Sequence, residues 1–163
     1  MNKIIHPIPP IYDQKSKILI LGSFPSVKSR ENQFFYGHRQ NRFWKVVAAV
    51  LNKPEPKSIS EKKIFLLENG IAVWDVIAEC EIHGSADSTI SNEKVNDISP
   101  ILHTADIKAI FTNGKKSFSL FETKVSPSIG RKSIYLPSTS PANASFSFER
   151  LVEEWKILKE YLT

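Results

Sequence analysis

The sequence predicts an α/β fold of the doubly wound kind, and three observations carry that expectation. Short continuous apolar runs, the mark of strands buried on both faces, recur along the chain, the first being Lys17-Ile18-Leu19-Ile20-Leu21-Gly22-Ser23. Between them lie segments whose apolar residues follow helical spacing, as in Phe43, Trp44, Val46, Val47, Val50 and Leu51. The length of 163 residues, with 41% hydrophobic and 24% charged, suits one domain of ordinary composition with a proper core. Strands that alternate with helices imply a mostly parallel sheet covered on both sides.

Residues 1–16 are polar and proline-rich and read as an arm lying on the surface before the first element. The first strand, from Lys17 to Ser23, ends in small residues. A helix follows Asn41 and Arg42, and Asn52 with Pro54 stops it. The next helix spans Ser60 to Glu68, with Ser60 as N-cap and Asn69-Gly70 as the C-terminal signal. Further strands are expected at Ile71 to Val76, Ile107 to Asn113 and Ser133 to Leu136, with helices from Val95 to His103 and from Lys115 to Glu122. The segment Phe148 to Tyr161 reads as a closing amphipathic helix with Leu151, Val152, Trp155, Leu158 and Leu162 on one face. No repeat or linker divides the chain, so a single domain over residues 1–163 is expected. In such sheets ligands bind beyond the carboxyl ends of the strands. That rule selects Ser23 to Ser26, Trp74-Asp75, Asn113-Gly114 and Pro137 to Asn143.

Several chemistries are excluded by residue type or spacing. Cys80 is the single cysteine, so neither an intrachain disulfide nor a four-thiolate iron–sulphur site can form, and a reducing, cytoplasmic setting is expected. The opening residues are too broken by proline for a signal peptide, and no run approaches the roughly 18 apolar residues of a membrane helix. His6, His38, His83 and His103 are scattered without a ligand pair, so neither a metal nor a cofactor is expected. Gly114-Lys115 lacks the rest of a phosphate loop, since Ala109 stands for its first glycine and Lys116 for its hydroxyl residue. No serine elbow or dinucleotide fingerprint follows the first strand. The net charge of +5 is compatible with a polyanionic partner.

What remains is a pair of serine and proline loops, Gly22-Ser23-Phe24-Pro25-Ser26 and Leu136-Pro137-Ser138-Thr139-Ser140-Pro141-Ala142-Asn143, at the ends of the first and last strands. Short hydroxyl side chains and free backbone N–H groups on turns suit phosphodiester oxygens. Ordinary turn chemistry explains each loop taken singly. Together with Tyr36-Gly37-His38-Arg39-Gln40-Asn41-Arg42-Phe43-Trp44, the two loops resemble the uracil-DNA glycosylase superfamily. Within it they are most similar to the hypoxanthine-DNA (deoxyinosine) glycosylases. The likeness runs from Ile18 to the last helix and includes Gly70 to Ile77 and Phe111 to Lys116.

The resemblance implies a three-layer α/β/α sandwich around a short, mostly parallel four-stranded sheet. It also implies a monomeric, metal-free enzyme that flips a deaminated base, hypoxanthine above all, out of DNA and hydrolyses its N-glycosidic bond. The asparagine of the Gly-His-x-x-Asn-Arg-Phe-Trp segment lands on Asn41, as the catalytic residue that positions water through its carboxamide oxygen. Its other reading is an N-cap for the helix that follows. The resemblance places Gly22, Ser23, Phe24, Pro25, Phe35, Tyr36, Trp74, Asp75 and Asn113 at the base. Phe24, Phe35 and Tyr36 are the stacking candidates, and Asp75 the partner of a purine N–H or of water. Ser26, Pro137, Ser138, Thr139, Ser140, Pro141, Ala142 and Asn143 fall on the DNA backbone and the vacated stack. Asp87 and Ser88 either approach the pocket or shape their loop, and Asn113-Gly114 also suits a tight turn. Arg39, Arg42, Lys115, Lys116, Arg131 and Lys132 flank this face.

Two departures from the superfamily pattern stand out. Phe24 occupies the place of the usual water-orienting Asp or Asn, and Leu136 that of the usual His or Asn before Pro-Ser. A uracil or xanthine glycosylase and a non-catalytic damaged-DNA-binding module are therefore the alternatives on the same fold.

Overall fold

The computed structural model of the protein describes residues 3–162. Its central sheet has four strands, β2 (Ile18–Gly22), β3 (Ile71–Asp75), β6 (Ala109–Asn113) and β7 (Ile134–Leu136), in the order β3-β2-β6-β7. Every pairing in it is parallel, with Ile18 beside Ile71 and Ala109, and Phe111 beside Ile134. The fold is the three-layer sandwich expected. Ile18, Ile20, Ile71, Val73 and Phe111 point to one face, beneath α2 (Phe43–Leu51), α3 (Ile59–Glu68) and α7 (Phe148–Trp155). Leu19, Leu21, Ala72 and Ile110 point to the other, toward α4 (Ser99–Thr104), α5 (Lys115–Leu120) and the short α6 (Ser126–Ile129). Both sets are buried, so alternate residues of one continuous apolar run serve two cores.

The structure corrects several boundaries. The capping serine of α3 is Ser58, not Ser60: its hydroxyl accepts from the Glu61 N–H while Glu61 accepts from the Ser58 N–H, a complete capping box. Val95 closes a strand, and the helix after it begins only at Ser99. The last helix is α-helical to Trp155 and then tightens to a 3₁₀ turn over Lys156–Tyr161; Leu151, Trp155 and Leu158 are buried while Val152 and Leu162 are half-buried. A short helix absent from the sequence reading, α1 (Val27–Asn32), follows the first loop.

The larger correction concerns residues 1–16. Met1 and Asn2 lie outside the described residues, but the rest of this segment is built into the fold rather than laid on it. Lys3–Ile5 forms β1, the edge of a second, antiparallel sheet with β4 (Ile77–Glu81) and β5 (Ser91–Val95) in the order β1-β4-β5. Ile8 and Ile11 are buried, and Ile11 exchanges two backbone hydrogen bonds with Val73 at 3.0 and 2.9 Å. Proline prevents regular structure here, yet the apolar residues between the prolines still dock. Among the described residues no helix is long and apolar enough to cross a membrane.

Candidate active site

The carboxyl ends of β2, β3 and β6 open into a cleft of about 940 Å³, within the range of ligand sites. It gathers every residue singled out above as catalytic, base-contacting or DNA-contacting except Trp74 and Pro137. Trp74 faces away because strand neighbours alternate. Its indole N–H donates to the Ile8 carbonyl at 3.0 Å, while the next residue, Asp75, enters the cleft. Pro137 is buried, and its carbonyl accepts the Trp155 indole N–H at 3.0 Å, which seats the second loop on α7.

Asp75 is 4% exposed. One carboxylate oxygen, Oδ2, lies 2.8 Å from His6 Nε2. The other, Oδ1, leans over Gly22 so closely that a Cβ there would stand 2.5 Å from it. A glycine ends β2 because no side chain fits beneath that carboxylate. Tyr36 closes the same corner. Its ring stacks on Phe43 at 3.9 Å between centroids, and its hydroxyl is buried without a hydrogen-bond partner among the described residues. Burial, and then the charge of Asp75, drive the phenol's pKa far up; the Asn113 amide works weakly the other way, so the group stays a neutral O–H.

The capping reading of Asn41 is off by one residue: Arg42 holds the N-cap position of α2, without a side-chain cap bond. Asn41 Oδ1 instead accepts the Phe43 N–H two residues on at 2.9 Å, an Asx turn that leads into the helix. The oxygen expected to hold water is thus already engaged, with one lone pair left, while the amide nitrogen has no hydrogen-bond partner among the described residues. Asn113 is more fully committed, since Thr139 Oγ1 accepts from its Nδ2 at 3.0 Å and its Oδ1 accepts the Thr139 N–H at 3.1 Å. It ties the second loop to the end of β6 as a brace.

The loop after β7 holds itself open. Ser138 Oγ accepts the Ser140 N–H at 3.0 Å, Ser140 Oγ accepts the Ala142 N–H at 3.2 Å, and Asn143 Nδ2 donates to the Ser138 carbonyl at 3.0 Å. Each of these serines acts as acceptor inside the loop, so its hydroxyl hydrogen is left to donate outward, as an anion requires. Arg42, expected beside phosphate, is spent differently. Its guanidinium donates to the Phe146 and Asn143 carbonyls at 2.6 and 3.0 Å and clamps the loop to α2. Lys115 and Lys116 do line the cleft; Arg39, Arg131 and Lys132 do not.

Opposite stands the loop of residues 85–88. Ser23 Oγ donates to Asp87 Oδ1 at 2.8 Å. Asp87 is exposed as a residue, but its carboxyl end is turned into the cleft, where desolvation raises its pKa and the Ser23 hydrogen bond offsets part of the rise. Phe24 has only 9% of its surface free and meets the His6 ring edge-on at 5.8 Å, so it gives the cleft an apolar wall.

Sequence reasoning missed His6 altogether. Its side chain is 3% exposed, and the only signal for it was a histidine between apolar residues of the arm. His38, Ser29 and Tyr135 also line the cleft without having been singled out as site residues.

Comparisons with known proteins agree with this fold. The family model described as the uracil DNA glycosylase superfamily matches residues 9–160. The chain is 35% identical over 158 residues, 91% of its length and 93% of the relative's, to a protein of Methanosarcina acetivorans named hypoxanthine DNA glycosylase. A Methanosarcina barkeri protein of the same name is 32% identical over 111 residues, 67% of this chain and 70% of that one. A solution NMR structure of a candidate uracil DNA glycosylase from Methanosarcina acetivorans superposes with a TM-score of 0.82 at 32% identity, covering 98% of this chain and 99% of that one. The chain belongs to the uracil DNA glycosylase superfamily.

Proposed function

We propose that the protein is a monofunctional DNA glycosylase that removes hypoxanthine from DNA and leaves an abasic site. The observation that carries this reading is the cleft itself. Three segments remote in sequence, around Gly22, Asn41 and Ser138, meet at the strand ends in a chain whose curated relatives bear that activity in their names.

The glycosidic bond is inaccessible within the stack, so the nucleotide must swing into the cleft. The outward hydroxyl hydrogens of Ser138 and Ser140, with Lys115 and Lys116, hold the phosphates on either side, and Pro141-Ala142-Asn143 fills the gap left behind. The base enters between the aromatic wall of Phe24, Phe35 and Tyr36 and the acceptor Asp75, whose free oxygen takes a purine N–H.

As the bond from C1′ to the base breaks, its electron pair leaves with the base and positive charge grows on the sugar. Water attacks C1′ and loses a proton, which the departing base anion takes up, so the products are a C1′ hydroxyl and the neutral free base. Asn41 is the catalytic residue. The hydrogen bond that its Oδ1 accepts from the Phe43 N–H fixes the carboxamide in advance, so the remaining lone pair orients water without reorganisation. The Asn41 amide N–H groups are donors available to the charge that develops on the departing base. No lysine nucleophile enters this scheme, so the strand is left uncut. The protein acts as a monomer in the cytoplasm.

The test uses duplexes carrying one hypoxanthine, uracil or xanthine, incubated with the protein in EDTA and then treated with hot alkali to cut abasic sites. Cleavage confined to the hypoxanthine strand supports the reading. Cleavage at uracil or xanthine instead moves the substrate, and none on any lesion by folded protein favours a DNA-binding module. Asn41→Ala should abolish release while leaving lesion binding intact.

A further inference from the structure

The arm that crosses behind the cleft brings a histidine to Asp75, and this contact is built with more care than a core needs. His6 Nδ1 accepts the Ile8 backbone N–H at 3.1 Å, so that nitrogen carries no proton. The proton sits on Nε2 and is donated to Asp75 Oδ2 at 2.8 Å. The ring cannot turn, because Phe24, Phe35 and Trp74 wall it in at 5.8, 6.3 and 6.2 Å between centroids. The backbone on both sides is pinned as well. The His6 N–H donates to the Ala78 carbonyl at 2.8 Å, and the Ile8 carbonyl accepts from Trp74.

The consequence falls on the other oxygen of Asp75. Oδ1 has no hydrogen-bond partner among the described residues, and Asp75 lines the cleft. The Tyr36 hydroxyl is walled into the same corner and offers nothing to the cleft, so Oδ1 is the acceptor that this end of the sheet presents to a base.

We propose that His6 is a specificity-determining positioning residue: by holding one oxygen of Asp75 it keeps the other aimed as a fixed acceptor at the base. Deamination of adenine turns N1 from an acceptor into an N–H donor and replaces the C6 amino group with a carbonyl. Oδ1 matches the product edge by accepting N1–H. It opposes adenine, whose N1 lone pair would face a carboxylate. Guanine shares this edge, so the arrangement sets the choice against adenine alone. Without His6 the carboxylate is free to rotate, and Oδ1 is no longer held toward the base. The inference rests on the glycosylase reading above.

The experiment compares single-turnover release from duplexes carrying deoxyinosine or 1-methyldeoxyinosine, which lacks the N1–H. The native protein should prefer deoxyinosine by at least about tenfold, the effect of one lost hydrogen bond to a charged acceptor. His6→Ala should bring that ratio close to one, and His6→Gln, whose amide N–H can still reach Asp75, should restore most of it. A residue with a merely structural role would slow both substrates together and leave the ratio intact, which overturns the inference. If melting curves show that His6→Ala does not fold, the comparison is made between His6→Gln and His6→Met, of similar length with and without a donor. A ratio kept in the first and lost in the second is expected, and one kept in both overturns the proposal. A native protein that releases deoxyinosine without preference over the methylated base overturns the inference alone. One that releases no base from any lesion overturns the proposed function together with it.

Discussion

The Tyr36 hydroxyl and the Asp87 carboxylate are both placed where the free protein would be better without them. A buried hydroxyl with no partner costs roughly 1–3 kcal/mol, so Tyr36→Phe should stabilise the DNA-free protein by about 1 kcal/mol in urea melts. The hydroxyl has no surface open to the cleft, so the same change should leave base release close to the native rate, and a loss of about tenfold or more would show that it donates to the base during the reaction. Asp87 has its pKa raised by desolvation, so folding favours its protonated form. Its contribution to stability is therefore fully present below the unfolded value of about 4 and is lost as pH rises through the higher folded value. Asp87→Asn keeps an acceptor for Ser23 and has no charge to desolvate. Its melting temperature relative to the native protein should accordingly rise between acid and neutral pH, and a difference that does not vary with pH would show that Asp87 titrates normally.

At the scale of elements, the site is a set of chain ends held in register by β2, β3 and β6, and β2 tolerates no change at its last residue. Gly22→Ala sets a methyl group 2.5 Å from Asp75 Oδ1, so the carboxylate must shift. A displacement of about 1 Å at a reacting centre costs on the order of 100-fold, and single-turnover release should fall by that much while far-ultraviolet circular dichroism is unchanged. The four parallel strands were legible in the sequence because continuous apolar runs such as Ile18 to Leu21 have one stable use, burial on both faces. The start of α2, to within one residue, and the two serine loops were legible for a similar reason, since their chemistry is local. The antiparallel sheet was not. Ile77-Ala78-Glu79-Cys80-Glu81 and Ser91 to Val95 are half-buried, polar and irregular in register, which leaves little periodicity to read. His6 was illegible for a stronger reason: its partner lies 69 residues away, and only the docking of Ile8 and Ile11 brings it there. Arg42 was misread because a guanidinium beside a phosphate-binding loop and one that braces the loop's carbonyls look alike in sequence.

For the whole molecule the decisive quantity is how a modest net charge of +5 is spent. Asp75 and Asp87 sit inside the cleft, so attraction for DNA cannot come from the cleft's own balance and has to come from its rim, where Lys115 and Lys116 stand at the start of α5. Each lysine that neutralises one phosphate releases about one counterion, and removing it should weaken binding to every sequence alike and lower the slope of log K against log salt by about 1. Lys115→Ala and Lys116→Ala are therefore expected to show this loss on lesion and undamaged duplexes together, in fluorescence anisotropy titrations between low and physiological salt. Ser138→Ala removes a neutral donor and should behave differently, weakening the binding of lesion DNA while leaving the slope almost unchanged. The same substitution also removes the acceptor for the Ser140 N–H, so the loop as a whole would loosen and the loss should exceed that of a single phosphate hydrogen bond. A slope that falls with Ser138→Ala but not with the lysine variants would mean that the loop, rather than the rim, carries the electrostatic grip on DNA.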